Sequence, residues 1–532
     1  MDNIQRIRAA VKEGETFLGI EFGSTRIKAV LIGADYAPIA SGSYAWENRL
    51  INGVWTYTQA DILMGLQGCY SSLVSEVFEK YGVVPTTYCA MGISAMMHGY
   101  LAFDHEDKLL VPFRTWRNTT TAEAANQLTE LFGFNIPQRW SIAHLTQAIL
   151  DDEPHVAKIA HITTLAGYVH HLLTGERVLG VGDASGMFPI DEAGEYDSRM
   201  IKKYEKFIEK RNFIWRLKDL LPRVLRAGEM AGCLTAEGAA LLDPTGNLQA
   251  GIAFCPPEGD AGTGMTATCS VSPRTGNVSA GTSVFAMVVL EKPLSSYYPE
   301  VDMVTTPTGE PVAMVHCNNC TGELDAWVRL FGEALEVFGA PQTADRLYQT
   351  LFQTALSGDY ACNGLMAFNY LSGEPITGLA EGRPMFARRP ESELTLANFM
   401  KTQLYASLAT LRLGMDLLSC KEQVAMDRMM GHGGFFKVDK VGQSVMSAAL
   451  KAPVSVLATA GEGGPWGMAL LAAYRKQRGE AESLADFLSN RVFVNSASST
   501  IRAKPEEEEG FSTWLKRYCA CLDAQRSLVE SL

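Results

Sequence analysis

Two short segments of this chain end an apolar run with a glycine and two hydroxyl residues: Gly23-Ser24-Thr25 in LGIEFGSTRIKAVLI and Gly281-Thr282-Ser283 in GNVSAGTSVFAMVVL. In a tight hairpin, such a turn can present backbone N–H groups and hydroxyls to phosphate oxygens. One turn of this kind is ordinary. Two equivalent turns about half a chain apart suit a nucleotide held between duplicated domains, each turn facing the phosphate tail. Phosphoryl transfer also needs a divalent cation and a carboxylate to take the proton of the attacking hydroxyl. Asp260 lies in PPEGDAGTGM, where the flanking glycines let the backbone turn tightly and a substrate come close. Taken alone it could equally be a turn aspartate. Glu21 stands just before the first glycine turn, and a charge inside an apolar strand is uncommon, so it is either at an edge or functional.

These residues need a scaffold. Around each glycine turn the apolar residues are β-branched, which predicts strand, tight turn, strand. Helical spacing follows over Gln59 to Tyr81, Pro154 to Leu173 and Phe399 to Cys420. Alternating strands and helices in both halves imply α/β layers in each of two domains. The boundary is expected near Ser272-Pro273, giving domains 1–272 and 273–532. Phe511 to Leu532 reads as a closing helix, with Glu506 to Glu509 as a solvated loop and helix start.

With 532 residues the chain exceeds what one core usually supports. It is 47% hydrophobic and 20% charged, as folded globular proteins are. A formal charge of −13 argues against a nucleic-acid partner, which would need a dense basic face, and leaves room for a local basic pocket for phosphate. The N-terminus reads as a short amphipathic helix and not as a signal peptide, and no apolar stretch predicts a membrane span. Of the 11 cysteines, only Cys317 and Cys320 form a CxxC, with no second pair at zinc spacing. Scattered thiols fit a reducing cytoplasm, and structural roles are expected for all of them.

In order, LGIEFGSTRIKAV, GISAMMHGYLAFD, RTWRN, LLTGERVLGVGDASGMFPID, LPRVLRAGEMAG, EGDAGTGM, SAGTS, NYLSGEP, GHGGFFK and GEGGPWGMALLAA resemble the FGGY carbohydrate kinase family, nearest in motifs to its xylulose kinases. The matches run from about residue 18 to about residue 475. The resemblance implies an α/β fold of two duplicated ribonuclease-H-like, actin-like domains with an interdomain cleft. It also implies ATP and Mg²⁺. Asp260 falls on the family's catalytic base, and Gly23, Ser24 and Thr25, with Lys28 on the next strand, on the first phosphate loop. Gly281, Thr282 and Ser283 fall on the second loop, and Gly433 and Gly434 on the segment lining the adenosine pocket. Glu21 and Asp260 are the implied metal-side carboxylates. The sugar side rests on Met97 and His98 in a Met-His-Gly element with Gly99, on Trp116 and Asn118, and on Asp260 itself. Gly463, Gly464 and Gly467 resemble a later glycine-rich connection, for which helix packing is an equally good role. His316 is expected to be structural.

The chain departs from the family pattern in three places. Glu21 stands where Asp is usual, His144 where many members carry Lys, and threonines follow Asn118 where Arg is common. The expected activity is transfer of the ATP γ-phosphate to a hydroxyl of a small sugar, D-xylulose first. L-ribulose, a deoxy-ketohexose, gluconate and erythritol are alternative substrates, and a non-sugar actin-like ATPase switch is the alternative class. A cytoplasmic enzyme with sugar and ATP as partners follows, with a homodimer allowed.

Overall fold

Three β-rich runs near the start of the chain fold as an antiparallel meander: β1 (Phe17–Phe22), β2 (Arg26–Ile32) and β3 (Pro38–Ala45). Two strands from farther along, β4 (Ala90–Ala95) and β5 (Glu258–Gly259), add parallel to β1 to give the order β5-β4-β1-β2-β3. The structure is a computed structural model describing residues 3–457, 463–494, 496 and 498–531.

One face of this sheet is covered by the helix Gln59–Tyr81, which opens with a Thr58/Asp61 capping box and ends at Gly82 in the left-handed conformation. Its Gly65 lies against Ile27 of β2. The opposite face carries the helix Gly463–Gln477. Gly19 in β1 makes that approach possible, because a Cβ there would stand 2.2 Å from the Pro465 carbonyl oxygen. Side chains alternate along a strand, so Glu21 shares the Gly19 face, and its cross-strand partner Lys28 does too.

The second sheet starts from the hairpin β6 (Thr275–Ala280) and β7 (Val284–Val289). It adds β8 (Val301–Thr305), β9 (Pro311–Cys317), β10 (Arg428–His432), β11 (Val454–Leu457) and β12 (Ser498–Ile501). The order is β8-β9-β7-β6-β10-β11-β12, with β10 parallel to β6 and β11 parallel to β10. The run β9-β7-β6-β10-β11 repeats the order β3-β2-β1-β4-β5. This is a duplicated ribonuclease-H-like α/β fold.

The chain divides into two units. The first is Met1–Val271 with Met303–Val312 and Glu462–Asn495; the second is Ser272–Asp302 with Ala313–Gly461 and Ser496–Leu532. A single cut at 272/273 therefore misses two returns to the first unit. The return at 303–312 is tied in by Thr305, whose N–H donates to Ser185 Oγ and whose hydroxyl donates to the Val181 carbonyl.

Several local expectations need correction. Pro154 to Leu173 is not one helix but a short turn (Pro154–Lys158), a strand (His161–Thr163) and a helix (Leu165–Thr174). The strand pairs with Leu101–Phe103, and Thr164 caps the helix by accepting the Gly167 N–H. Glu506–Glu508 are the first turn of the helix Pro505–Ala520, where acidic residues favour the positive helix end. A second helix, Leu522–Ser531, follows it. Cys317 and Cys320 are buried free thiols. Among the described residues no helix is long and apolar enough to cross a membrane.

Candidate active site

Each glycine turn closes its hairpin at the end of the strand that the parallel strands join. In the first, the Gly23 N–H donates to the Arg26 carbonyl at 3.1 Å. The turn's own carbonyls are held from elsewhere. Gly23 O accepts the Trp46 indole N–H at 2.7 Å, Ser24 O the Tyr57 hydroxyl at 2.5 Å, and Thr25 O the Trp46 N–H at 3.2 Å. Trp46 and Tyr57 stack on each other at 3.9 Å, which stiffens both anchors. Among the described residues, the Ser24 and Thr25 N–H groups have no partner.

The second turn repeats this arrangement with different partners. Gly281 O accepts the Thr321 N–H at 3.0 Å, Thr282 O the Cys320 N–H at 2.9 Å, and Ser283 O the Gly281 N–H at 2.9 Å. The N–H groups of Thr282 and Ser283 have no partner among the described residues. With every carbonyl tied back, the backbone of each turn offers two open N–H donors and no open carbonyl, which suits a phosphate oxygen. Gly433 packs against this second hairpin. Its φ of +101° and its closeness to the Ala280 carbonyl, 2.4 Å from a would-be Cβ, both require glycine. A Cβ on Gly434 would meet only open space.

In the first unit, the ends of β1, β4 and β5 bring carboxylates together. Asp260 follows β5 and opens the helix Asp260–Ala267. It is solvent-exposed, and its Oδ1 accepts the Met97 N–H at 3.1 Å from the segment after β4. Crowding by protein raises its pKa, opposed by the Met97 and Ala261 amides and the Arg139 charge. Glu21 is half-buried, with Oε2 3.4 Å from Ser94 Oγ and 3.3 Å from Thr263 Oγ1. Burial, then repulsion from Asp260, pushes its pKa up to about 7. Lys28 opposes that rise through its charge, although its own side chain is exposed.

On the sugar side, the structure separates the expected residues. His98 has a φ of +69° and Gly99 a φ of +90°, so the chain turns sharply after β4. His98 Nδ1 lies 3.2 Å from the Gly186 carbonyl oxygen, so Nδ1 carries the proton and Nε2 is left as an acceptor. Burial, then the Arg139 charge, holds the ring neutral by lowering its pKa well below the usual value. Met97 contributes through its backbone, because its buried side chain covers Gly259 and Gly186. Trp116 is exposed and free to face a ligand. Asn118 does not fit the sugar role. Its Oδ1 accepts the Trp55 N–H at 2.9 Å, and its Nδ2 donates to the Trp55 and Thr115 carbonyls at 2.8 and 2.9 Å. It braces a loop instead.

His144 is fully buried against the Tyr100 ring, with both ring nitrogens unpaired among the described residues and its pKa pushed down to about 3. A neutral core histidine cannot supply a lysine's charge. Gly467 is a packing glycine, since a Cβ would stand 2.0 Å from the Thr263 carbonyl oxygen. Gly464 lies against the Glu21 carboxylate. The start of that motif, Gly461 and Glu462, lies outside the described residues.

Three residues escaped sequence reasoning. Arg139 is near enough to bias both His98 and Asp260, yet it sits in no motif. Asp183 and Glu258 are buried carboxyls beside Asp260. Burial pushes Asp183 up to about 7, with repulsion from Asp260 adding to the rise. Burial and then repulsion from Asp183 push Glu258 up to about 8. Both stand inside quoted motifs, so a buried acid next to glycines was the available signal. A cavity of about 680 Å³, lined among others by Phe103, Asp107, His161, Tyr168, His171 and Arg177, includes none of the expected site residues.

A duplicated ribonuclease-H-like fold with a phosphate-ready turn in each copy and an exposed aspartate at a strand end defines a phosphotransferase of the actin-like class. The chain belongs to the FGGY family of carbohydrate kinases: the N-terminal domain model matches residues 16–252 and the C-terminal domain model residues 276–475. It is an ATP-dependent sugar kinase. A xylulose kinase of Haemophilus influenzae is 22% identical over 414 residues, covering 75% of this chain and 79% of that protein. The crystal structure of xylulose kinase from Rhodospirillum rubrum superposes with a TM-score of 0.77 at 17% identity, over 96% of this chain and 99% of that one. Gluconate kinase from Lactobacillus acidophilus gives the same TM-score of 0.77 at 16% identity, over 96% and 98%. At such identities the structural likeness speaks for the fold.

Proposed function

We propose that this kinase phosphorylates a small ketose, with D-xylulose the first candidate, and that Asp260 is its general base. The observation that carries the reading is the Asp260 carboxylate, exposed to solvent yet fixed by the Met97 N–H inside the Met-His-Gly element. One carboxylate oxygen is held, and the other is available to a hydroxyl. As the sugar oxygen bonds to the γ-phosphorus and the bond to the ADP oxygen breaks, the hydroxyl proton passes to Asp260. His98 Nε2 accepts a second sugar hydroxyl, and Trp116 offers an apolar face to the sugar's C–H groups.

The open N–H groups of Ser24, Thr25, Thr282 and Ser283 serve phosphate oxygens, with Lys28 adding positive charge, Gly433 letting its segment close on the second hairpin and Gly434 giving room for the adenosine. Glu21 and Asp260 fit a Mg²⁺ site: repulsion from Asp260 helps raise the proton affinity of Glu21, and this ion binds through one or two carboxylates plus waters and substrate phosphates. Bound there, Mg²⁺ would neutralise charge on the phosphates. The base and sugar contacts lie in the first unit, and the second phosphate turn with its glycine pair lies in the second. A cytoplasmic location suits such an enzyme.

Gluconate is the second reading, favoured by Arg139, whose charge acts on both His98 and Asp260 and would suit a carboxylate substrate. A coupled ADP-release assay over ketoses, polyols and aldonates separates the two. Turnover on D-xylulose well above the other substrates supports the first reading. Turnover on gluconate alone replaces it, and ADP release that no sugar stimulates rejects both.

A further inference from the structure

We infer that Glu258 is a positioning residue that locks Asp260 and the His98 turn into one rigid unit, a role that rests on the kinase reading given above. The geometry around Glu258 is unusually specific. Its side chain is in a residue only 1% exposed, and its carboxylate takes three backbone donors. Oε1 accepts the Gly182 N–H at 3.3 Å, while Oε2 accepts the Asp183 N–H at 3.1 Å and the Gly259 N–H at 3.3 Å. The carboxylate therefore joins two segments distant in sequence: the turn at Gly182–Asp183 and the peptide leading directly into Asp260.

Glycines make the space for it. A Cβ on Gly180 would stand 2.2 Å from Oε1, and one on Gly182 would stand 2.4 Å from Oε2. Both are too close for any side chain, so the two glycines and Glu258 form one fitted arrangement. The turn continues to Gly186, whose carbonyl faces His98 Nδ1. Asp183 closes the arrangement on the other side. Its Oδ2 accepts the Thr164 hydroxyl at 2.6 Å, and its Oδ1 would lie 3.3 Å from a Cβ on Gly259. Glu258 thus holds the peptide before the base and the turn behind the sugar-side histidine with the same two oxygens. Its carboxyl does not touch either reacting atom.

Both oxygens act as acceptors, and the hydroxyl oxygen of a protonated carboxyl still accepts an N–H, so volume alone cannot replace the carboxyl group. Glu258→Gln keeps the size but turns one oxygen into an N–H donor facing N–H donors. Misplacing a catalytic group by about 1 Å can cost on the order of 100-fold in rate. The expected result is therefore a 10- to 100-fold fall in sugar phosphorylation, by that same approximate scale. Sugar-independent ATP hydrolysis, which does not need Asp260 aligned on a sugar hydroxyl, falls much less. A partly unfolded sample would lose both activities equally, so their ratio reports positioning and not the amount of folded enzyme. Gly182→Ala, which pushes on the same carboxylate from the other side, should reproduce the ratio, and the double variant should be no worse than the poorer single one.

Hydrogen exchange followed by mass spectrometry on the full chain supplies an arm independent of turnover. Peptides spanning 180–186 and 258–262 should lose protection in Glu258→Gln, with the rest of the first unit unchanged. Unchanged protection there, or an unchanged ratio of the two activities in both variants, would overturn the inference. Wild-type enzyme that phosphorylates nothing would overturn the kinase reading and with it the catalytic half of this one, while the exchange arm would still decide the brace. If neither variant folds, Glu258→Asp, which keeps two acceptor oxygens but draws them back from the Gly182 and Asp183 N–H groups, must shift the same ratio or the inference fails.

Discussion

Replacing Gly464 by alanine tests the placement of Glu21 more sharply than removing Glu21 itself. A Cβ at 464 would lie 1.5 Å from Glu21 Oε2, 2.4 Å from Cδ and 2.8 Å from Oε1. Ordinary contact for such a pair begins at about 3.4 Å, near the optimum separation of non-bonded atoms, so the carboxylate must retreat by roughly 2 Å. The retreat breaks its contacts with Ser94 and Thr263. Overpacking of this kind costs about 1–3 kcal/mol. For a domain of this size each kcal/mol lowers Tm by about 2–4 °C. The compensating change is Glu21→Asp, which shortens the side chain by one C–C bond, about 1.5 Å. The retreat required and the length removed nearly match, so the double variant should recover most of the lost stability.

Calorimetry on the four proteins of the Gly464→Ala and Glu21→Asp cycle gives the coupling energy directly. A favourable coupling of about 1 kcal/mol or more is expected, and ADP release by the double variant should exceed that of Gly464→Ala alone. Effects that simply add, within about 0.5 kcal/mol, would mean that the two groups do not touch, and the reasoning would be refuted. The cycle also bears on why glutamate stands at a position where aspartate is usual: the missing side chain at 464 leaves room for the longer acid.

Tyr57→Phe removes the hydroxyl that holds the Ser24 carbonyl, a bond worth about 0.5–1.5 kcal/mol. The KM for ATP should rise up to about tenfold while the KM for sugar stays put; a change confined to sugar would place the turn's role elsewhere. Asp183 and Glu258, raised to about 7 and about 8, hold protons in the folded state that the unfolded chain releases above its ordinary carboxyl range. The stability they contribute is therefore full below about pH 4 and is lost as pH rises through 7 and 8, by about 1.4 kcal/mol per pH unit for each proton held. Denaturant midpoints at several pH values should show a flatter decline for Glu258→Gln than for wild type between pH 5 and 8, and parallel slopes would contradict the assignment.

The duplicated hairpins were legible because a glycine with two hydroxyl residues between β-branched runs leaves few other folds, and the repeat doubled the signal. Asp260 and His98 were singled out by their motifs, and the structure brings the Asp260 carboxylate to the Met97 N–H beside His98. Asn118 was misread because a motif names a residue without saying which hydrogen bonds it already makes, and its three are spent on backbone. Arg139 was invisible because a lone arginine acquires its role only when folding brings it near His98 and Asp260. The returns of 303–312 and 462–495 to the first unit were hidden for a similar reason. Gly19 and Gly467 record the close approach of the helix Gly463–Gln477, but a glycine in sequence does not say what comes close. The helix expected over 154–173 failed because apolar spacing over so short a span does not distinguish a three-residue strand from a helical turn.

The general base is the central claim, and Asp260→Asn addresses it most directly. Asparagine keeps the size of the side chain and an oxygen to accept the Met97 N–H, so the variant loses basicity and little else. Sugar-dependent ADP release is measured beside wild type on the best substrate of the panel, with sugar and ATP binding followed by calorimetry. A fall of about 100- to 10,000-fold in turnover is expected, with both affinities nearly unchanged. Turnover close to wild type would show that Asp260 is an ordinary turn residue and that the proton leaves the sugar by another route.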